Sequence, residues 1–149
     1  MEFTRQFYKF GDLMNTQEKA IFFYDGECGF CNATVRFLLN RTSDDALLFC
    51  KLQSTFADNF FARNSYPKPD LTTAYFFYRG RLYQKSSAVL KAISLSNGAV
   101  KHIDVFLTVP KFIRDGAYNL VATFRHYIKL GNTECQLLTP NERRRFIEM

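Results

Sequence analysis

The stretch Ala20-Ile21-Phe22-Phe23-Tyr24-Asp25-Gly26-Glu27-Cys28-Gly29-Phe30-Cys31 changes periodicity in the middle, and that change decides how the chain is read. Residues 20–24 are all apolar or aromatic, a run too short for a helix, and Asp25-Gly26 ends it with turn residues. This is the signature of a buried strand meeting a turn. From Cys28 the period becomes helical: Cys31, Val35, Leu38 and Leu39 fall at i, i+4, i+7 and i+8, predicting an amphipathic helix to about Asn40. Leu47 to Leu52 then reads as a second strand. Strand, helix and strand in this order make a βαβ unit, whose crossover is expected to be right-handed.

Beyond this unit, Thr55-Phe56-Ala57-Asp58 reads as a helix start with Phe56, Phe60 and Phe61 on one face. A loop at Tyr66-Pro67-Lys68-Pro69 leads to a strand over Thr73–Tyr78. Arg79-Gly80 turns the chain into a return strand at Leu82-Tyr83. Ser86 or Ser87 is expected to cap a helix carrying Ala88, Val89, Ala92 and Ile93 and stopping at Asn97-Gly98. A short helical segment at Ile103–Leu107 precedes Pro110. Ile113, Ala117, Leu120, Val121, Phe124 and Ile128 then mark a long helix to Gly131. The tail from Cys135 through Pro140 to Arg145 is read as irregular, then helical. The expected fold class is α/β: the order β-α-β-α-β-β-α, a mixed central sheet flanked by helices, and a C-terminal helical extension over 99–149. Residues 1–18 read as a leader and 19–149 as a single domain.

At 149 residues the chain suits one core. It has 17 phenylalanines and no tryptophan, an excess explained by core filling. No apolar run approaches the roughly 20 residues of a membrane span, and the N-terminus lacks the pattern of a secretory signal. The expected compartment is therefore cytoplasmic, where thiols stay reduced and stapling disulfides are rare. The net charge is +6. Much of the excess lies late, at Lys111, Arg114, Arg125, Lys129 and Arg143-Arg144-Arg145, and is read as a solvated helical face. Nucleic acid is an unlikely partner, although the leader interleaves basic and aromatic residues from Phe3 to Phe10.

Four cysteines in such a chain need a reason other than stapling, and Cys28 and Cys31 supply one. Cys28 falls at a helix start, where unpaired backbone N–H groups and the helix dipole favour a thiolate. Cys31, one turn later, opens the apolar stripe and is expected to be the shielded thiol, still close enough to form a disulfide. The pair therefore reads as an exposed nucleophile, Cys28, and a buried resolving thiol, Cys31. Asp25 is either a proton relay for Cys31 or the carboxylate that caps the Asp25-Gly26 bend, and one residue can do both. Zinc is the competing use of CxxC, but Cys50, Cys135, His102 and His126 are scattered singly rather than as a second close pair. Cys50 reads as a buried small hydrophobe. No metal is expected, and no cofactor beyond the dithiol itself. A binding module that keeps the fold without turnover is the alternative.

The residues Phe23 to Cys31 resemble the motif of the DCC family of predicted thiol-disulfide oxidoreductases, named for its Asp, Cys and Cys. The resemblance extends over about residues 20–147. It includes Gly80 through Ser86-Ser87-Ala88, the spacing of Tyr118 and Arg125, then Cys135, and the basic segment after Pro140. It implies a thioredoxin-like fold, a redox dithiol at Cys28 and Cys31, and Asp25 as the third motif residue. The partners implied are a protein or small-molecule disulfide or thiol and an unidentified electron donor. Cys135 becomes a candidate auxiliary thiol. The chain departs from better-known thioredoxins at Phe30, which stands where their motif has proline, and at Thr72, which stands at the position of their cis-proline. Gly29, Phe30 and Thr72 are accordingly the candidate site-shaping residues.

Overall fold

A computed structural model describes residues 20–43, 46–125, 127 and 139–147. Strand β1 is Ala20–Tyr24, buried along its whole length because both faces are covered. It pairs in parallel with β2 (Leu47–Lys51) and antiparallel with β3 (Tyr75–Tyr78). A central strand covered on both sides carries a continuous apolar run instead of an alternating one, which is what 20–24 shows. Helix α1 (Gly29–Arg41) joins β1 to β2, and α2 (Thr55–Arg63) follows β2. Ser54 caps α2 by accepting the Ala57 N–H at 3.1 Å.

Strands β3 and β4 (Arg81–Gln84) form a two-residue hairpin through Arg79 and Gly80. Both central residues have positive φ, 48° and 73°, the combination whose twist matches the flanking strands. Helix α3 (Lys85–Ser94), a 3-10 segment (Ala99–Thr108), α4 (Lys111–Phe124), the single turn α5 (Pro140–Arg143) and β5 (Phe146–Ile147) complete the described chain. The sheet order is β4-β3-β1-β2-β5. It is a mixed sheet flanked by helices, a thioredoxin-like fold.

The sheet separates two apolar layers. Ala20, Phe22 and Tyr24 pack with Val35 and Leu38 of α1 and Ala88 and Ala92 of α3. Ile21 and Phe23 pack on the opposite face with Phe56, Ala57 and Phe61 of α2. The phenylalanines fill this core as expected, and Phe23 meets Phe60 and Phe61 with centroids 5.1 and 5.3 Å away.

Several expectations are corrected. Helix α3 starts at Lys85 with Gln84 at its cap position, and Ser86 instead lies buried one residue into the helix, bonded to Asp115 across to α4 at 2.6 Å. The C-terminal region is not wholly helical. Its end returns to the sheet as β5, parallel to β2, because Phe146 and Ile147 bury there. Two residues are too few for any periodicity to reveal a strand.

The basic residues do not share one solvated face. Arg125 is 5% exposed and Arg145 is 2% exposed. Lys129 lies outside the described residues, as do residues 1–19, His126 and Cys135. Finally, the stripe that reveals α4 does not face the core: Ile113, Leu120, Val121 and Phe124 are all exposed. The helix is tied down instead by polar side chains on its other face. Asp115 bonds Ser86, Arg114 reaches Ser87 at 3.2 Å, and the Tyr118 hydroxyl accepts the Ala74 N–H at 2.8 Å.

Candidate dithiol site

The β1–α1 junction presents the two cysteines. Cys28 occupies the cap position of α1 in an extended conformation (φ −93°, ψ 117°), with its N–H directed to the Asp25 carbonyl at 3.3 Å. Its carbonyl accepts the Asn32 N–H at 3.0 Å, the first bond of the helix. Cys31 lies in the first turn, within hydrogen-bond reach of the Cys28 sulfur. The placement at the helix start is as the periodicity required. The exposures are the reverse of those expected: Cys28 is 1% exposed, whereas Cys31 is half-buried. Cys28 sits where its N–H closes the turn back to the Asp25 carbonyl, whereas Cys31 lines a cavity with Asp25 and Arg125.

Asp25 is buried, and its two carboxylate oxygens do different work. Oδ1 accepts the Glu27 N–H at 3.0 Å, closing the turn, and the Gln53 side-chain amide at 2.7 Å. The Gln53 carbonyl oxygen in turn accepts the Gly26 N–H at 3.2 Å. Oδ2 faces the Arg125 guanidinium at 3.4 Å. Capping and access to the site therefore coexist in one residue. Gly26 lies close against the Lys51 stem: a Cβ there would come within 2.8 Å of it, so the lysine side chain would have to shift.

Arg125, the residue just after α4, reaches into this cluster. One terminal nitrogen lies 3.6 Å from the Cys31 sulfur; the other donates to the Leu71 carbonyl at 2.6 Å and faces Asp25. Its Nε–H is buried and has no acceptor among the described residues. Burial and the adjacent Cys28 sulfur push the Cys31 thiol up to about 12, with Arg125 pulling the other way. Burial also pushes the Tyr118 phenol up.

A small cavity, partly open to solvent, lies beside Cys31. Its walls are mostly apolar, from Phe22, Tyr24, Val89, Val121 and Ala122, with Asp25 and Arg125 as its charged members. Thr73, buried, lines it. Thr72 does not; it is exposed and bonds the Asp70 carboxylate through its N–H and hydroxyl at 2.9 and 2.8 Å. No cis peptide occurs among the described residues. Gly29 and Phe30 form the start of α1, and the Phe30 side chain lies outside what is described. Cys50 is fully buried, as expected, with its sulfur 3.2 Å from the Ser54 hydroxyl. His102 is exposed.

Residue patterning alone missed Gln53 and Arg125. Gln53 carries no local signal. Arg125 and Tyr118 were marked only by family resemblance, because a helix-end arginine looks like any solvated cation until its surroundings are known.

No helix among the described residues is long and apolar enough to cross a membrane. The family model of DCC1-like thiol-disulfide oxidoreductases matches residues 22–130, which include Asp25, both cysteines and Arg125. An uncharacterised protein of Bacillus subtilis, YuxK, is 29% identical over 127 residues, 85% of this chain and 93% of that protein. A chloroplastic DCC family protein of Arabidopsis thaliana is 28% identical over 121 residues, 80% of this chain and 70% of that protein. No solved structure matches the chain significantly. The chain belongs to the DCC1-like thiol-disulfide oxidoreductase family.

Proposed function

We propose that this protein exchanges or reduces disulfides, those of proteins foremost, through the Cys28–Cys31 dithiol. The observation that carries the reading is the placement of two thiols within hydrogen-bond reach of each other at the start of α1, with Asp25 and Cys31 lining one cavity. Cys31 keeps its proton at neutral pH, which leaves Cys28, at the helix start, as the sulfur that attacks. The Cys28 sulfur displaces one half of the substrate disulfide as a thiolate and forms a mixed disulfide. Cys31 then loses its proton to the Asp25 carboxylate and attacks the Cys28 sulfur. The bond between Cys28 and the substrate breaks, and the second substrate thiolate departs and is protonated. The substrate disulfide gains two electrons, and the dithiol is oxidised to the Cys28–Cys31 disulfide. An external thiol donor returns the pair to its reduced state. The dithiol is the redox group, without an added cofactor, and a reducing compartment such as the cytoplasm suits its free thiols. Because Cys28 is buried, its sulfur reaches substrate when the turn at 25–28 opens.

Reduced protein carrying Cys135→Ser and mixed with a chromogenic aromatic disulfide should rapidly release two thiols per chain, and adding Cys28→Ser should abolish the rapid release. Cys31→Ala should stop after one and retain the substrate on Cys28, so that mass spectrometry of trapped species identifies natural substrates. Undiminished turnover by Cys28→Ser would sink this reading.

A further inference from the structure

We propose that Arg125 is a positioning residue for the resolving half of this exchange: it orients the Asp25 carboxylate toward the dithiol and balances the negative charge that develops on Cys31. The inference rests on the dithiol reading above and adds a residue to it.

Arg125 lies 100 positions beyond Asp25, yet its guanidinium reaches both the carboxylate and the Cys31 sulfur. The Leu71 carbonyl fixes it there at 2.6 Å. A buried arginine held only for structure is expected to saturate its donors, since an unpaired buried N–H costs stability. Arg125 does not: its Nε–H is unpaired among the described residues, and the donor facing Cys31 has at rest only a thiol sulfur as its acceptor. A neutral thiol is a weak acceptor, whereas a thiolate in the same place accepts a charge-assisted bond. The contact is therefore poorly used in the resting state and strengthens as Cys31 ionises. An interaction that grows along the reaction is one that accelerates it.

The chemistry affected is a single step. From the mixed disulfide on Cys28, the Cys31 thiol gives its proton to Asp25, and its sulfur forms a bond to the Cys28 sulfur. The bond between Cys28 and the substrate sulfur breaks, and the departing thiolate takes the proton. Arg125 neither gains nor loses a proton. An opposite charge at this range favours an ionised group by about one pH unit or more. Capture of the substrate by Cys28 does not involve Cys31 ionisation and is expected to be nearly indifferent to Arg125.

The test uses the full chain carrying Cys135→Ser, reduced and mixed rapidly with a neutral aromatic disulfide. The first thiol released reports capture and the second reports resolution. In Arg125→Met, resolution near neutral pH is expected to slow about tenfold, with its pH midpoint raised by about one unit and capture little changed. Arg125→Lys, which keeps the charge, should recover most of the rate. Arg125→Gln serves as a second uncharged variant if Arg125→Met fails to fold, and thermal unfolding checks each. A folded uncharged variant with the native pH profile of resolution would overturn the inference, as would Arg125→Lys performing no better than the uncharged variants. If the unsubstituted chain releases no thiol at all, the dithiol reading itself is lost, a separate outcome.

Discussion

Arg125 and Arg145 are both buried arginines from the last quarter of the chain, and they are buried in opposite ways. Arg145 is saturated. It donates to the carbonyls of Leu47, Leu39 and Thr42 at 3.1, 3.1 and 3.2 Å and to the Thr42 hydroxyl, and it stacks over the Phe49 ring at 5.3 Å. Its own carbonyl accepts the Phe49 N–H at 2.8 Å, so the residue fastens the end of α1, the start of β2 and the approach to β5 together. Arg125 faces a carboxylate at 3.4 Å and a thiol at 3.6 Å, with one N–H unpaired among the described residues. A satisfied buried cation holds a fold; an incompletely satisfied one beside titratable groups stores interaction for another state. The difference lies in what surrounds the guanidinium, because the side chains are chemically identical.

The contrast can be broken most readily at Arg145. Arg145→Met strands several buried carbonyls and is expected to cost about 3 kcal/mol or more, lowering the melting temperature by roughly 10 °C. Thiol release by the protein that stays folded should be unchanged. Denaturant unfolding read beside the thiol assay checks both halves; a slower resolving step in Arg145→Met would erase the distinction between the two residues.

A double-mutant cycle on Asp25→Asn and Arg125→Met sharpens the comparison from the other side. The two groups touch, so their effects on stability should couple by about 1 kcal/mol. Each single change should cost less than Arg145→Met, since Asp25 retains the Glu27 N–H and the Gln53 amide. Additive unfolding free energies would show that the ion pair is idle in the resting protein.

A last expected effect, seen only well above neutral pH, is a dependence of stability on alkaline pH. The folded protein holds the Cys31 thiol near 12, above the ordinary value of 9.0. A raised value of this kind favours the folded state fully below the unfolded value, and the benefit is lost as pH rises through the folded one. The stability of the unsubstituted chain relative to Cys31→Ala should therefore fall between about pH 9 and 12. A flat difference over that range would show that Cys31 is no harder to ionise in the folded protein than in the unfolded chain.

Much of this could be seen in the sequence because it is local. The apolar run 20–24, the turn at Asp25-Gly26 and the stripe Cys31, Val35, Leu38, Leu39 are patterns over neighbouring residues, and they are realised as β1, the cap and α1. The two-residue hairpin at Arg79-Gly80 followed from the same kind of signal. The apolar faces read for α1 and α2 do turn into the core, whereas that of α4 does not. The stripe of α4 points to solvent among the described residues, because its packing is made by Asp115, Tyr118 and its polar neighbours. Periodicity reports that two faces differ; it does not say which one has a partner.

The amino-acid sequence by itself determined the strand–turn–helix that places two cysteines one turn apart beside an aspartate, since turn chemistry and helical spacing act over a few residues. Only the tertiary structure decided that Cys28 is the more enclosed sulfur and Cys31 the one beside a cavity. Only the tertiary structure separated two arginines that look alike in sequence, setting one among carbonyls and the other against the dithiol. Burial and electrostatic partnership depend on what the chain brings back from a hundred residues away, and no local pattern encodes that.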